Sequence, residues 1–280
     1  MDKTKLDLFD IVVAGPPCHP FTRTGAQNQW TDARADAYSA IVHTIEDQAW
    51  RPRSRLIAFA LENVAGFADK LRGTEKSPAE EVLQYFREKL GKAWKVWTWM
   101  IRTDRLGFPQ DRRRVYLCGR RIDRFATPMP PRAPTDYNLK KFDVEDILDP
   151  NLPKEKRLTQ KMIDNIEHYK AAAAAANLKQ GQVVLCDLTR APGKVRATVL
   201  KYDGTTPTLT CTNKSLYIFA VGTDRYERFL SAAERAILQG FSGSIVSRLP
   251  KPFTAIGNAM SVPAIGMCLA CLLNGVQVVV

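Results

Sequence analysis

Apolar residues gather in short continuous runs in the first half of the chain, at Ile11–Ala14 and at residues 56–61. A run without alternation predicts a strand buried on both faces, as inside a parallel sheet. Between the two runs, Ala37, Ala40, Ile41 and Ile45 recur at helical spacing and predict a helix over 32–46. Val82, Leu83, Phe86 and Leu90 mark one face of a second helix over 78–90. Two further strands follow, aromatic-rich over 95–101 and apolar over 113–119. The residues between them, LGFPQD at 106–111, are too few for a helical crossover, so the pair is predicted to be an antiparallel hairpin. Strands alternating with helices and closed by an antiparallel strand define an α/β class.

The pattern changes near residue 128, where four prolines within 128–134 predict a linker. Thr159 is placed to cap a helix over 159–178 that runs through the alanines Ala171 to Ala176, the best helix formers. Residues 181–212 read as short strands with turns, and Ser231 with Glu234 three residues later is a capping box. The predicted division is an α/β domain over 1–127, a linker and small domain over 128–227, and a segment over 228–280 that returns to the first domain.

Charge narrows the class. Lys and Arg number 41 against 29 Asp and Glu, a formal net charge of +12, which is the footprint of a protein that holds a polyanion. Six cysteines without regular pairing predict a reducing, intracellular compartment, nuclear if the source is eukaryotic. Cys268 and Cys271 form a C-x-x-C, but zinc needs four ligands and no second pair is near, so core packing is expected. The first ten residues are charged rather than apolar, so no signal peptide is read. The most apolar stretch, 264–273, is about half a membrane span, and no membrane partner is expected.

Candidate chemistry gathers where the strands end. Gly15 frees the backbone after the first strand, and Pro16, Pro17 and Pro20 fix φ around Cys18. A thiol held on so stiff a loop, at the strand edge where open α/β sheets bind ligands, is a candidate nucleophile. A small buried hydrophobe is the alternative reading of Cys18. Glu62 follows the second strand at the same edge. If the strand over 95–101 runs parallel to the first two, the hairpin carries Gln110, Arg112 and Arg114 there as well.

These residues carry a resemblance. PPCHPFTRTG at 16–25 is similar to the nucleophile loop of the cytosine-5 DNA methyltransferases, with His19 where the family usually has Gln and Thr22 where many members have Ser. ENV at 62–64, QDRRR at 110–114, the R-x-L-S-x-x-E and Q-G-F residues of 228–241, and IGNAMSVP at 256–263 resemble later motifs in the family's order, with Ala259 where many members have Ser. The resemblance implies a Rossmann-like S-adenosylmethionine-dependent methyltransferase sheet, its last strand antiparallel, with a small target-recognition domain at 128–227. It implies that Cys18 attacks carbon 6 of a cytosine and that Glu62 grips the ring nitrogen and amino group. Arg112 and Arg114 are expected to hold the base and the thiolate. Pro16, Pro17 and Asn258 are expected to lie against S-adenosylmethionine.

The family's opening glycine-rich loop and two acidic strand ends have no counterpart in the sequence, so the expected sheet is N-terminally incomplete. Three explanations are open: a truncated gene product, one half of a split enzyme whose partner is a second chain supplying those motifs, or an inactive relative. The implied reaction is methyl transfer to carbon 5 of a cytosine flipped out of duplex DNA. The alternatives are a tRNA cytosine-5 methyltransferase, because F-T-R after the nucleophile resembles that branch, and a non-catalytic DNA-binding or regulatory subunit.

Overall fold

The computed structural model describes residues 8–17, 21, 30, 33–70, 74–126, 132–134, 139–189, 200–211 and 215–276, the side chains of Arg34 and Leu200 excepted. Its strands in chain order are β1 Ile11–Ala14, β2 Ala58–Val64, β3 Trp94–Arg102, β4 Gln110–Asp111, β5 Arg113–Arg121, β6 Val183–Asp187, β7 Leu200–Lys201, β8 Thr206–Pro207, β9 Leu216–Ala220 and β10 Arg228–Phe229. The α-helices are α1 Asp36–Trp50, α2 Pro78–Leu90, α3 Gln160–Ala175, α4 Ala232–Leu238, α5 Pro252–Asn258 and α6 Val262–Leu272. The chain divides into one unit of residues 1–102, 113–137 and 264–280 and another of 103–112 and 138–263.

In the first unit the strand order is β1-β2-β5-β3. β1 and β2 are parallel, and β5 is antiparallel to both β2 and β3, so β1, β2 and β3 all point the same way with β5 reversed between two of them. Val42, Ile45, Val82 and Phe86 of α1 and α2 cover Phe59 and Leu61 on one face. Helix α2 begins where the sequence demands it. Ser77 Oγ accepts from Glu80 N at 3.3 Å while the Glu80 carboxylate accepts from Ser77 N at 2.7 Å, with Pro78 in the first turn. Gly119 sits opposite Phe59 in register, and any Cβ there would overlap the Phe59 ring, which packs on Phe86 and Trp94. The α6 residues Ala264, Cys268, Cys271 and Leu272 are buried. Cys268 Sγ lies 3.8 Å from Cys118 Sγ of β5, which is the core packing expected of the C-x-x-C. The apolar stretch Pro252–Leu272 is long enough to cross a membrane by length and composition, but it is broken between Asn258 and Val262 into α5 and α6.

Three readings are corrected here. β1 is not buried on both faces. Among the described residues it pairs with β2 alone, leaving Ile11 36% and Val13 38% exposed, so it is an edge strand despite its unbroken apolar run. Strand β2 does not end before Glu62 but carries Glu62, Asn63 and Val64, because β5 pairs with all three. Helix α1 starts at Asp36, after a 3-10 turn over Ala33–Ala35, and Asp32 lies outside the described residues.

The second unit is built on the antiparallel sheet β10-β9-β6-β7. Val184, Cys186, Tyr217 and Phe219 face Ile166, Tyr169 and Ala173 of α3. Val183, Leu185, Leu216 and Ile218 face Leu230 and Leu238 on the other side. Both faces are covered, which is why β6 and β9 are buried throughout. Thr159 caps α3, accepting from Met162 N at 3.4 Å, and the helix ends at Ala175, before Asn177 with its left-handed φ of 52°. The unit boundaries differ from the predicted 127, 128–227 and 228–280. Residues 228–263 stay in the second unit because β10 pairs with β9 and Leu230 and Leu238 fill its core; the return comes at Ala264.

Candidate active site

Cys18 lies outside the described residues, as do Thr22 and Gly25. Its neighbours in sequence are on the page. Pro16 is buried and Pro17 exposed just beyond β1, and Phe21 is buried in an aromatic cluster with Trp30, Tyr38 and Phe67, at ring-centroid distances of 5.2, 6.2 and 4.8 Å.

Glu62 stands at the carboxyl end of β2, one residue past the position where Leu61 pairs with Ala14, the last residue of β1. Across the sheet, Glu62 pairs with Tyr116 and Val64 with Arg114, so Glu62, Tyr116 and Arg114 share one face. Arg114 Nε lies 3.1 Å from Glu62 Oε1, with both side chains largely buried. The pair is held by proximity rather than by an aligned hydrogen bond on that oxygen. On the opposite face Asn63 Oδ1 accepts from Val64 N at 2.8 Å, while its buried Nδ2 has no hydrogen-bond partner, a detail the sequence reading missed.

Arg112 has a different setting. It is buried in the second unit, where Nη1 donates to Leu209 O at 3.1 Å and Nη2 to Ala259 O at 2.9 Å. Its guanidinium thus ties the hairpin turn to two distant loops of its own unit. Gln110 begins β4, which pairs with β8. The same unit contains the buried pair of Arg228 and Glu234, whose Nη2–Oε1 and Nη1–Oε2 distances are 2.6 and 2.9 Å. Burial alone would raise the Glu234 carboxyl, but the Arg228 hydrogen bonds and the backbone donors of Ser231 and Asp149 outweigh it and hold the pKa below the ordinary range. Asn258 is exposed at the end of α5, next to Gly257, whose Cα side is pressed against the Thr210 and Cys211 backbone.

Within the first unit, then, a carboxylate and a guanidinium meet at the carboxyl edge of parallel strands, where β1 leads into Gly15, Pro16 and Pro17. A carboxyl group so placed can meet the ring-nitrogen and amino edge of a base, and the arginine can hold the carboxyl group or a ring carbonyl. The fold and this edge define a Rossmann-like methyltransferase. The chain belongs to the C-5 cytosine-specific DNA methylase family, whose profile matches residues 1–270.

Type II methyltransferase M.FnuDI of Fusobacterium nucleatum is 25% identical over 269 residues, spanning 92% of this chain and 74% of that protein. The tRNA (cytosine(38)-C(5))-methyltransferase of Homo sapiens is 30% identical over 139 residues, 50% of this chain and 32% of that protein. Among solved structures, the Entamoeba histolytica methyltransferase EhMeth matches with a TM-score of 0.62 at 15% identity, covering 95% of this chain and 77% of that one. The S. pombe Dnmt2 methyltransferase matches with a TM-score of 0.58 at 15% identity, covering 94% of this chain and 77% of that one. At these identities the structural likeness speaks to the fold.

The family is generally S-adenosylmethionine-dependent, and the described residues do not fit that cofactor by themselves. A cradle of this kind needs a glycine-rich turn at a strand end and an acidic residue for the ribose. Beyond β1, where such a strand would pair, the described sheet ends in the exposed Ile11 and Val13.

Proposed function

We propose that this chain is the nucleophile- and base-binding part of a methyltransferase that modifies carbon 5 of cytosine in DNA. The observation that carries the reading is the Glu62–Arg114 pair at the carboxyl edge of β2, beside the loop of Cys18. In this reading the Cys18 thiolate adds to carbon 6 of a flipped cytosine, its electron pair forming the S–C bond while the C5–C6 π pair moves to carbon 5 and makes it nucleophilic. Glu62 holds ring nitrogen 3 and the amino group, a proton shared between its carboxyl group and nitrogen 3 neutralising the negative charge that develops on the ring, and Arg114 holds the carboxyl group and reaches the ring carbonyl. When the carbon 5 proton later leaves, the double bond re-forms and expels the thiolate. Arg112 positions the hairpin turn within the second unit, through the Leu209 and Ala259 carbonyls. Pro16 and Pro17 offer backbone to the methyl donor.

S-adenosylmethionine is the donor the family implies, and a second chain that brings a glycine-rich strand and loop is part of this proposal. Methyl transfer to duplex DNA and to tRNA, assayed with and without such a segment, tests the reading. Turnover on DNA only when the segment is added is expected. Stoichiometric, micromolar S-adenosylmethionine binding by the chain alone would contradict the need for a partner. A tRNA substrate is the second reading, favoured by the human tRNA-acting relative, and methylation of tRNA in preference to DNA would establish it.

A further inference from the structure

Helices α1 and α2 are acidic in a strongly basic protein. They carry Asp36, Glu46, Asp47, Glu80, Glu81 and Glu88 against only Arg87 and Lys89, while the whole chain is +12. Between them lies a cleft of about 240 Å³ lined by Trp30, Tyr38, Val42, His43, Glu81 and Tyr85, with Ser39 and Val82. Its walls are mostly apolar and aromatic, and two features of its polar groups point to a ligand. Tyr38 is 1% exposed and its hydroxyl has no hydrogen-bond partner, a state that costs free energy unless something supplies one. Glu81 accepts from Trp30 Nε1 through one oxygen, which leaves the other for a second donor. At the rim, the Tyr85 hydroxyl is held by Glu46 and by His43 Nδ1 at 3.0 Å, and Lys89 lies 5.8 Å from the Tyr85 ring centroid.

Aromatic faces with a carboxylate beside them select an organic cation, because the ring quadrupole and the negative charge both favour it. An anion is disfavoured by Glu81 on the wall and by Glu46 on the Tyr85 hydroxyl, so the nucleic acid backbone is not the occupant. We infer that the α1–α2 cleft binds the alkylammonium head of a lysine on a basic partner peptide, with Glu81 and Tyr38 receiving its N–H groups and Trp30 and Tyr85 flanking it.

Titration calorimetry of the full chain with a glycine- and serine-flanked peptide carrying one central lysine tests this, with the Nε-acetylated peptide as control. Saturable binding of the lysine peptide, at least tenfold weaker for the acetylated one, is expected. Glu81→Gln keeps an acceptor for Trp30 and removes only the charge, and it should weaken binding at least tenfold, whereas Glu88→Gln should not change it. Tyr38→Phe should weaken binding yet raise the melting temperature, since it deletes a buried unpartnered hydroxyl; a structural role alone would lower it. Equal affinity for the free and acetylated peptides, no binding, or undiminished binding to Glu81→Gln would overturn the inference.

Discussion

Glu62 and Arg114 face the same side of the first sheet from neighbouring antiparallel strands, and Arg114 Nε stands 3.1 Å from Glu62 Oε1. Both side chains are largely buried, 14% and 9% exposed, so each is the other's nearest opposite charge at this edge. The pair exists because β5 is reversed: a parallel strand would have brought its carboxyl end, not its start, to this edge.

The first prediction concerns that pair. Glu62→Gln should slow the single-turnover chemical step by about 2–4 kcal/mol, roughly 30- to 1,000-fold, with little change in nucleic-acid affinity. Rapid-quench measurement on a cytosine-containing duplex, with S-adenosylmethionine and the glycine-rich segment added, checks it. An unchanged rate in a folded variant removes Glu62 from the mechanism.

A second prediction concerns acid stability. Arg228 and Glu234 are both buried, and the Glu234 pKa is depressed below its ordinary 4.5. A carboxyl with a folded pKa below its unfolded one contributes stability fully above the unfolded value and loses it as pH falls through the folded one. Urea unfolding from pH 7 to pH 3 should show a loss confined to the range below about 4.5, and Glu234→Gln should flatten that limb. At pH 7 the same variant leaves Arg228 without its buried anion and should cost about 3–5 kcal/mol. An acid limb equally steep in the variant would assign the loss to other carboxyls.

Much of this was legible from local pattern. Pro78–Leu90 spans the stretch that its apolar stripe marked out, and Ser231 caps α4 through Glu234 as read. The hairpin and its antiparallel second strand followed from six residues being too few for a crossover. What the pattern missed depends on distant partners. Ile11–Ala14 has the composition of a central strand, but exposure depends on which strands lie beside it, and a single run cannot report that. Arg112 and Arg114 look alike in QDRRR, yet one is bound to Leu209 and Ala259 carbonyls and the other to Glu62. The place of residues 228–263 in the second core rests on β10 pairing with β9 and on Leu230 and Leu238 filling that core, distant contacts that a boundary drawn at 228 could not register.

Gly257→Ala supplies a third prediction. An added Cβ would overlap the Thr210 carbonyl carbon and the Cys211 nitrogen, both backbone atoms that cannot swing aside. The substitution should destabilise the second unit by about 1–3 kcal/mol, read as a lower urea midpoint at unchanged slope. A neutral effect would mean that the loop at 210–211 yields freely.

Nucleic-acid affinity should depend steeply on salt, because a net charge of +12 favours phosphate contacts and counterion release. The logarithm of the binding constant should fall linearly with the logarithm of salt concentration, with a slope of about −0.9 for each phosphate neutralised on duplex DNA. A flat dependence between low and physiological salt would show the excess charge to be general surface charge.

The central claim is that Cys18 attacks carbon 6 of cytosine at the edge built by Glu62 and Arg114. Addition of the thiolate makes carbon 5 basic, so water can protonate it and its original hydrogen can leave before the thiolate is expelled, with no methyl donor required. Release of tritium from duplex DNA labelled at carbon 5 of cytosine therefore tests the claim most directly. The wild-type chain should release tritium into water, and Cys18→Ala should release none while still binding the duplex. Equal release by Cys18→Ala, or no release by the wild type from either DNA or tRNA, would contradict it.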